Sequence, residues 1–281
     1  MNTIQIGSQR VPMLGMGTWH MGDGSSQQQD AEVASLQYGL DQGLRVIDTA
    51  EMYGEGAAER VVGRAIAGSD RADIYLISKF YPWHATNQEI RKALTRSLDR
   101  LGTDYLDLYL LHWRGTTPLA ETIATLRDLK NEGLIKDYGV SNFDTADLTE
   151  AYAVPGGQDI VANEVLYNLA ERGIEYNLMA KQRRHGVALI GYSPFGSGNG
   201  QSIQLPKPVQ AIAAAHQLSR QQLLLAWALR SGQVLSIPKT ASVAHMQDNI
   251  DAATVVFSSD ELAVIHQYFP APQQKEPLAT I

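Results

Sequence analysis

Along most of the chain, short runs of apolar and β-branched residues alternate with longer stretches whose apolar positions recur every three or four residues, the periods of strand and helix. Eight short runs stand out, at 13–18, 45–49, 74–79, 106–112, 138–142, 160–165, 188–193 and 235–238. This alternation predicts repeated strand–helix units and a parallel sheet. Two earlier segments, 3–6 and 10–13, flank Gly7-Ser8 and predict a hairpin that plugs the end of a barrel.

The helical stretches carry their own punctuation. Thr86 with Glu89 predicts a capping box ahead of the stripe Ile90, Leu94, Leu98 and Leu101, with Gly102 as the stop. Thr117 and Pro118 predict an N-cap and first-turn proline before Leu119, Ile123, Leu126 and Leu129, closed by Gly133. Gly43, Gly68, Gly186 and Gly232 stand in the same closing role shortly before the next strand, so the helix-to-strand turns are short. Short turns on one face favour a closed barrel over an open doubly wound sheet. Ser219 with Gln222 and Ser258 with Glu261 start two more helices, the last of which, with Leu262, Ile265 and Phe269, lies beyond the eighth unit. No Pro-, Ser- or Gly-rich linker divides the chain. The expectation is one domain over 1–281: an α/β fold, a (β/α)8 barrel with an N-terminal β-hairpin and extra C-terminal helices.

Composition narrows the chemistry. With 44% hydrophobic residues among 281, the chain has material for a large core and is not disordered. Thirty acidic against 23 basic residues leave a net charge of −7 with no basic block, which argues against nucleic acid as a partner. The absence of cysteine removes disulfides, thiolate metal sites and thiol nucleophiles. The histidines show no metal-ligand spacing, and His216, His245 and His266 read as helix-surface residues, so no metal is expected. No signal-peptide pattern opens the chain and no run approaches the roughly 18 apolar residues of a membrane span, so a soluble cytoplasmic protein is expected. Nothing in the sequence points to a protein partner.

In a parallel barrel the active site lies at the C-terminal ends of the strands. There the second run delivers Asp48, with Tyr53 shortly after it, the third ends at Lys79 and the fourth at His112. Singly, each has a structural reading: Asp48 as a turn acceptor, Tyr53 as an interfacial aromatic, Lys79 as a solvated strand end, His112 as a core histidine. Together they converge on one rim, and the set suits proton donation to a carbonyl oxygen. A phenol with a pKa of about 10 is a poor donor at neutral pH, and a neighbouring ammonium lowers that value. Lys79 would supply the charge, Asp48 would hold Lys79, and His112 would orient the substrate oxygen. Such a set carries no electrons, so a reduction needs a hydride donor, for which a nicotinamide is the economical choice. Trp19, Trp83 and Trp113 follow predicted strand ends and, with Tyr81, could wall an apolar substrate pocket, whereas Trp227 has core spacing. The brief loop after His112 and the short tail after Pro270 predict an open pocket without a lid.

These residues sit in a longer series of motifs. Gly15-Met16-Gly17-Thr18-Trp19, Asp48 to Gly54, Ser78-Lys79, Leu111-His112-Trp113, Gly139-Val140-Ser141-Asn142, Tyr192-Ser193-Pro194 and Ile237-Pro238-Lys239 resemble, in order, the signatures of the aldo-keto reductases. Small bacterial members of the methylglyoxal reductase type are the most similar. The resemblance implies a TIM-type barrel that binds NADPH in extended form and reduces small aldehydes and ketones. It assigns Tyr53 as general acid, His112 as orienting residue, and Lys79 with Asp48 as the pair that tunes Tyr53. It places Ser141, Asn142 and position 164 around the nicotinamide carboxamide, with Tyr192 stacked on the ring. Gly17, Thr18, Trp19, Ser193, Pro194, Phe195, Gly196, Gly198, Ile237, Pro238, Lys239 and Thr240 complete the implied cofactor surface, and Asn249 faces adenine.

Two positions depart from the family pattern. Glu164 stands where glutamine is usual, and an ionised carboxylate only accepts hydrogen bonds; it would favour the oxidised, positively charged ring, unless it pairs with a nearby cation or is protonated. His245 stands where an arginine usually follows Lys239, and a neutral imidazole cannot grip a 2′-phosphate as a guanidinium does, which leaves NADH open beside NADPH. Two other functions fit parts of the pattern: a lyase using Lys79 as a Schiff-base nucleophile, and a nicotinamide-binding regulatory module with little turnover.

Overall fold

A computed structural model describes residues 2–196 and 203–281. Strands β1 (Thr3–Ile6) and β2 (Gln9–Pro12) form the expected antiparallel hairpin. The eight that follow are β3 (Met16–Gly17), β4 (Val46–Asp48), β5 (Tyr75–Phe80), β6 (Leu106–Leu111), β7 (Ile135–Ser141), β8 (Ala162–Leu166), β9 (Ala188–Tyr192) and β10 (Val234–Ser236), paired in parallel in chain order. Across the remaining seam, Gly15 and Gly17 donate backbone N–H groups to the carbonyls of Ser236 and Pro238 at 2.9 and 3.0 Å, and Ser236 donates to Met13 at 2.9 Å. The eight runs are therefore eight strands of a (β/α)8 barrel.

The edges of the strands differ from the runs for local reasons. β3 is only two residues long because Met13 and Gly15 commit backbone groups to the last strand across the seam. β7 and β9 end one residue early because Asn142 and Ser193 turn into the left-handed region, at φ 58° and 50°. β10 stops before Ile237 and Pro238; proline has no N–H to offer a ladder.

Helices α1 (Ser26–Asp41), α2 (Ala57–Ile66), α3 (Asn87–Leu101), α4 (Leu119–Asn131), α5 (Thr145–Tyr152), α6 (Leu178–Arg184), α7 (Lys207–Ala215), α8 (Arg220–Leu229), α9 (Val243–Ala252) and α10 (Ser259–Tyr268) surround the sheet. The capping boxes at Ser219/Gln222 and Ser258/Glu261 form as expected. The one at Thr86 does not: its hydroxyl makes no cap bond, and Glu89 instead pairs with Lys92 at 2.8 Å. Pro118 is itself the N-cap of α4 rather than its first residue. Gly68 does not take the left-handed closing conformation, since α2 ends two residues before it, whereas Gly43, Gly102, Gly133, Gly186 and Gly232 do.

Burial separates two apolar layers. Inside the barrel, Val46, Tyr75, Ile77, Leu108, Leu110, Ala162, Ala188, Ile190, Leu235 and Ile237 pack with Ile6 and Val11 of the hairpin, which closes one end as expected. The larger outer layer joins the other strand faces to the helices and includes Trp227, fully buried. The histidines are less uniform than expected. His245 is exposed, but His216 is half-buried and pairs with Glu261 at 2.8 Å, and His266 is half-buried with its ring edge-on to Trp227.

Candidate active site

Strand phase places the polar groups. Side chains alternate between the two faces of a strand, so each inward apolar residue predicts the direction of the residue two further on. Val46 leads to Asp48, Ile77 to Lys79, Leu110 to His112, Ala162 to Glu164 and Ile190 to Tyr192. Where the apolar filling stops, this polar layer begins, and above it opens a cavity of about 890 Å³, within the range of small-molecule and cofactor sites.

Lys79 is the centre of the layer. Its Nζ donates to Asp48 Oδ1 and Oδ2 at 2.7 and 2.8 Å, to the Thr49 carbonyl at 3.1 Å and to the Tyr53 hydroxyl at 3.1 Å. Glu164 Oε1 lies 3.3 Å away. Tyr53 and His112 meet edge to face with ring centroids 5.8 Å apart. Ser141 donates to the Glu164 carbonyl at 3.0 Å, Asn142 to the His112 carbonyl at 3.1 Å, and Tyr192 to Asn142 Oδ1 at 2.9 Å. One connected network thus spans β4 to β9.

Burial sets the protonation states. It opposes charge on Lys79, but Asp48 and Glu164 outweigh it and hold the ammonium protonated above its ordinary range. An amine so held is a poor Schiff-base nucleophile, which counts against the lyase. Burial and Lys79 together push His112 down to about 2, so its ring is neutral. Tyr53 was expected to be lowered by Lys79; burial is the stronger influence and raises it, because Asp48 already offsets the ammonium's charge. Glu164 is held well above the usual carboxylate range, first by burial and then by Asp48.

Most of the expected positions meet here. Asp48, Tyr53, His112, Glu164, Ser141, Asn142, Tyr192 to Gly196, Gly17, Thr18, Trp19, Trp113, Ile237 and Lys239 line the cavity. Lys79 lies fully buried beneath them. Tyr81 and Trp83 stack on each other at 4.2 Å beside Trp113 but do not line the cavity. Pro238, Thr240, His245 and Asn249 also lie outside the lining, on the segment leading into and along α9. Gly198 lies outside the described residues.

His20, Met52, Arg114, Thr280 and Ile281 line the cavity without having been anticipated. Met52 and Arg114 follow Asp48 and His112 closely, a signal that loop position alone offered. Thr280 and Ile281 bring the tail to the cavity wall, where it is anchored by Lys275 to Asp144 at 3.1 Å and by Leu278 against the core.

Fit to a nicotinamide cofactor can be judged on the residues themselves. Glu164 Oε2 is buried in the cavity wall without a partner, as a contact for a carboxamide requires. A Cβ on Gly17 would stand 2.5 Å from the Ile237 carbonyl, so the two chain segments approach this closely at the cavity wall only because the residue is glycine. Lys239 is exposed at the same rim, free among the described residues to meet an anion. The donor set fits the group.

Residues 13–268 match the Aldo/keto reductase family model. The chain belongs to that family. Within it, the chain is 44% identical to methylglyoxal reductase YeaE of Escherichia coli (strain K12) over 97% of this chain and 96% of that protein. It is 30% identical to 9,11-endoperoxide prostaglandin H2 reductase of Trypanosoma cruzi over 92% of this chain and 88% of the other. The crystal structure of an aldo/keto reductase from Klebsiella pneumoniae in complex with NADP and acetate superposes with a TM-score of 0.96 at 43% identity, covering 100% of this chain and 99% of that one. A second structure from the same organism, in complex with NADPH, gives the same figures. As an aldo/keto reductase the chain is an oxidoreductase that acts on carbonyl compounds. Among the described residues no helix is long and apolar enough to cross a membrane.

Proposed function

We propose that this aldo/keto reductase uses NADPH to reduce small reactive carbonyls, methylglyoxal and aromatic aldehydes among them, with Tyr53 as the proton donor. The observation that carries the reading is the Tyr53 hydroxyl, 3.1 Å from a fully buried, doubly anchored Lys79 at the floor of a cofactor-sized cavity.

The reduced nicotinamide supplies the hydride when bound. The chain's own residues do the rest. His112, neutral, donates a hydrogen bond to the carbonyl oxygen and sets its position. Tyr53 gives up its proton as negative charge develops on that oxygen, and Lys79 stabilises the phenolate left behind. Asp48 keeps Lys79 charged and in place while Tyr53 gives up its proton. Ser141, Asn142 and Glu164 would hold the carboxamide, Tyr192 would cover the ring, and Gly17, Thr18, Trp19 and Ser193 to Gly196 would enclose the rest. Lys239 with Thr240 meets the 2′-phosphate and Asn249 the adenine, with His245 a weaker neighbour than the usual arginine. Trp19, Trp113, Tyr81 and Trp83 form the apolar approach. The name of the Escherichia coli relative supports methylglyoxal, and the Klebsiella pneumoniae complexes support the NADP-type cofactor.

The test follows the near-ultraviolet absorbance of NADPH and NADH with methylglyoxal and with an aromatic aldehyde, for wild type and Tyr53→Phe. Consumption of NADPH by wild type alone is the expected result. Tight NADPH binding without turnover on any carbonyl would favour the regulatory module instead.

A further inference from the structure

Asp48 and Glu164 set two carboxyl groups against one ammonium. Lys79, Asp48 and Glu164 are all at most 2% exposed. An ammonium has three N–H donors, and Asp48, the Thr49 carbonyl and the Tyr53 hydroxyl take them at 2.7 to 3.1 Å. Glu164 Oε1, at 3.3 Å, is the outermost neighbour, and Oε2 has no partner. One positive charge balances one carboxylate. A second would stand as an uncompensated buried anion, which costs more than carrying a proton. Asp48 and Glu164 act on each other's ionisation, so a hydrogen held by one relieves the repulsion between them.

We propose that Glu164 stores a proton, shared with Asp48, and releases it when a cationic ring lies on the floor of the cavity. The inference rests on the reading that this cavity takes a nicotinamide. With the proton stored, the trio of Lys79, Asp48 and Glu164 has no net charge. A cationic ring against the free Oε2 adds one positive charge, and departure of the proton restores neutrality. A neutral reduced ring adds none, and the proton stays.

No other neighbour competes as the source. Facing Glu164 are Asp48 from β4, Tyr53 from the loop after it, Lys79 from β5 and Tyr192 from β9, with His112 at the end of β6 beyond Lys79. The two phenols are held neutral and the ammonium charged, and His112 carries no proton to lose as a cation. In turnover the same store is within reach of the donor. Tyr53 passes a proton to the substrate oxygen, Lys79 returns one to the phenolate across 3.1 Å, and Glu164 returns one to Lys79 across 3.3 Å. The substrate gains one proton and Glu164 ends as a carboxylate.

The test is calorimetric titration of the full chain with NADP+ and with NADPH at about pH 8, where the shared 2′-phosphate is ionised, in two buffers of different ionisation enthalpy. The expected result is release of about one proton with NADP+ and none with NADPH. NADP+ affinity should rise by up to about tenfold per pH unit while NADPH affinity stays flat. Infrared difference spectra should show loss of a protonated carboxyl band with NADP+ only, and Glu164→Gln should bind both forms without releasing a proton. Equal release with both forms, or release that persists in Glu164→Gln, would overturn the proposal; the wild-type arms decide it even where the variant folds poorly. Binding of both forms without a difference defeats this proposal alone. Failure of either form to bind defeats the reading of the cavity and this proposal with it.

Discussion

Lys79 and Asp48 are joined through both carboxylate oxygens, at 2.7 and 2.8 Å, in a place solvent does not reach. A pair so buried adds little to stability while both partners are present, and removing one leaves a charge without compensation.

Lys79→Met is therefore expected to destabilise the fold by about 3–5 kcal/mol, read by urea denaturation. The double variant Lys79→Met, Asp48→Asn should recover much of the loss, because it removes the stranded anion. A single variant as stable as wild type would show that Asp48 is protonated without its partner.

His112 should leave no ionisation in the rate profile between about pH 5 and 8, since its ring is held neutral down to about 2. The same shift acts on stability. Below about pH 6.5 the unfolded chain binds a proton that the folded ring refuses, so stability falls as pH falls. His112→Asn should flatten that acid-side slope, measured as Tm against pH.

Cofactor preference should follow Lys239 and position 245. Lys239→Ala is expected to raise KM for NADPH by about tenfold, the equivalent of one lost charge-assisted contact, with little effect on NADH. His245→Arg should move the ratio of kcat/KM values the other way. If NADH is already the better substrate for wild type, the assignment of the phosphate contact to Lys239 is wrong.

Gly17→Ala should loosen the seam, because the added Cβ would meet the Ile237 carbonyl at 2.5 Å and backbone cannot give way as a side chain does. A loss of about 1–3 kcal/mol is expected, together with weakened NADPH binding, by thermal melting and by fluorescence titration.

The barrel was legible because strand and helix periods alternate without a break, and the acid, base and histidine because each ends a strand of that alternation. Strand phase turns Glu164 inward, from Ala162 two residues earlier, but does not reveal its nearness to Lys79. Nor does it reveal the protonation of Glu164, since that depends on Asp48 lying across β4 to β8, a closeness no single strand reveals. Tyr53 shows the same limit: the residue and its partner were readable, but the net direction of its shift was not, because burial outweighs the ammonium only once the layer is assembled. The missed Thr280 and Ile281 have no periodicity to announce them; their position comes from anchors at Lys275 and Leu278.

The bridge from Gly17 to Lys239 joins the first and last strands of the barrel. During synthesis the ribosome must therefore deliver nearly the whole chain before the floor and the rim of the cavity can meet. Until then the acids and the lysine of the early strands have been made, but no complete pocket exists to receive a dinucleotide. A dinucleotide that binds only the finished barrel would then be captured last in biogenesis and would draw maturation forward by mass action.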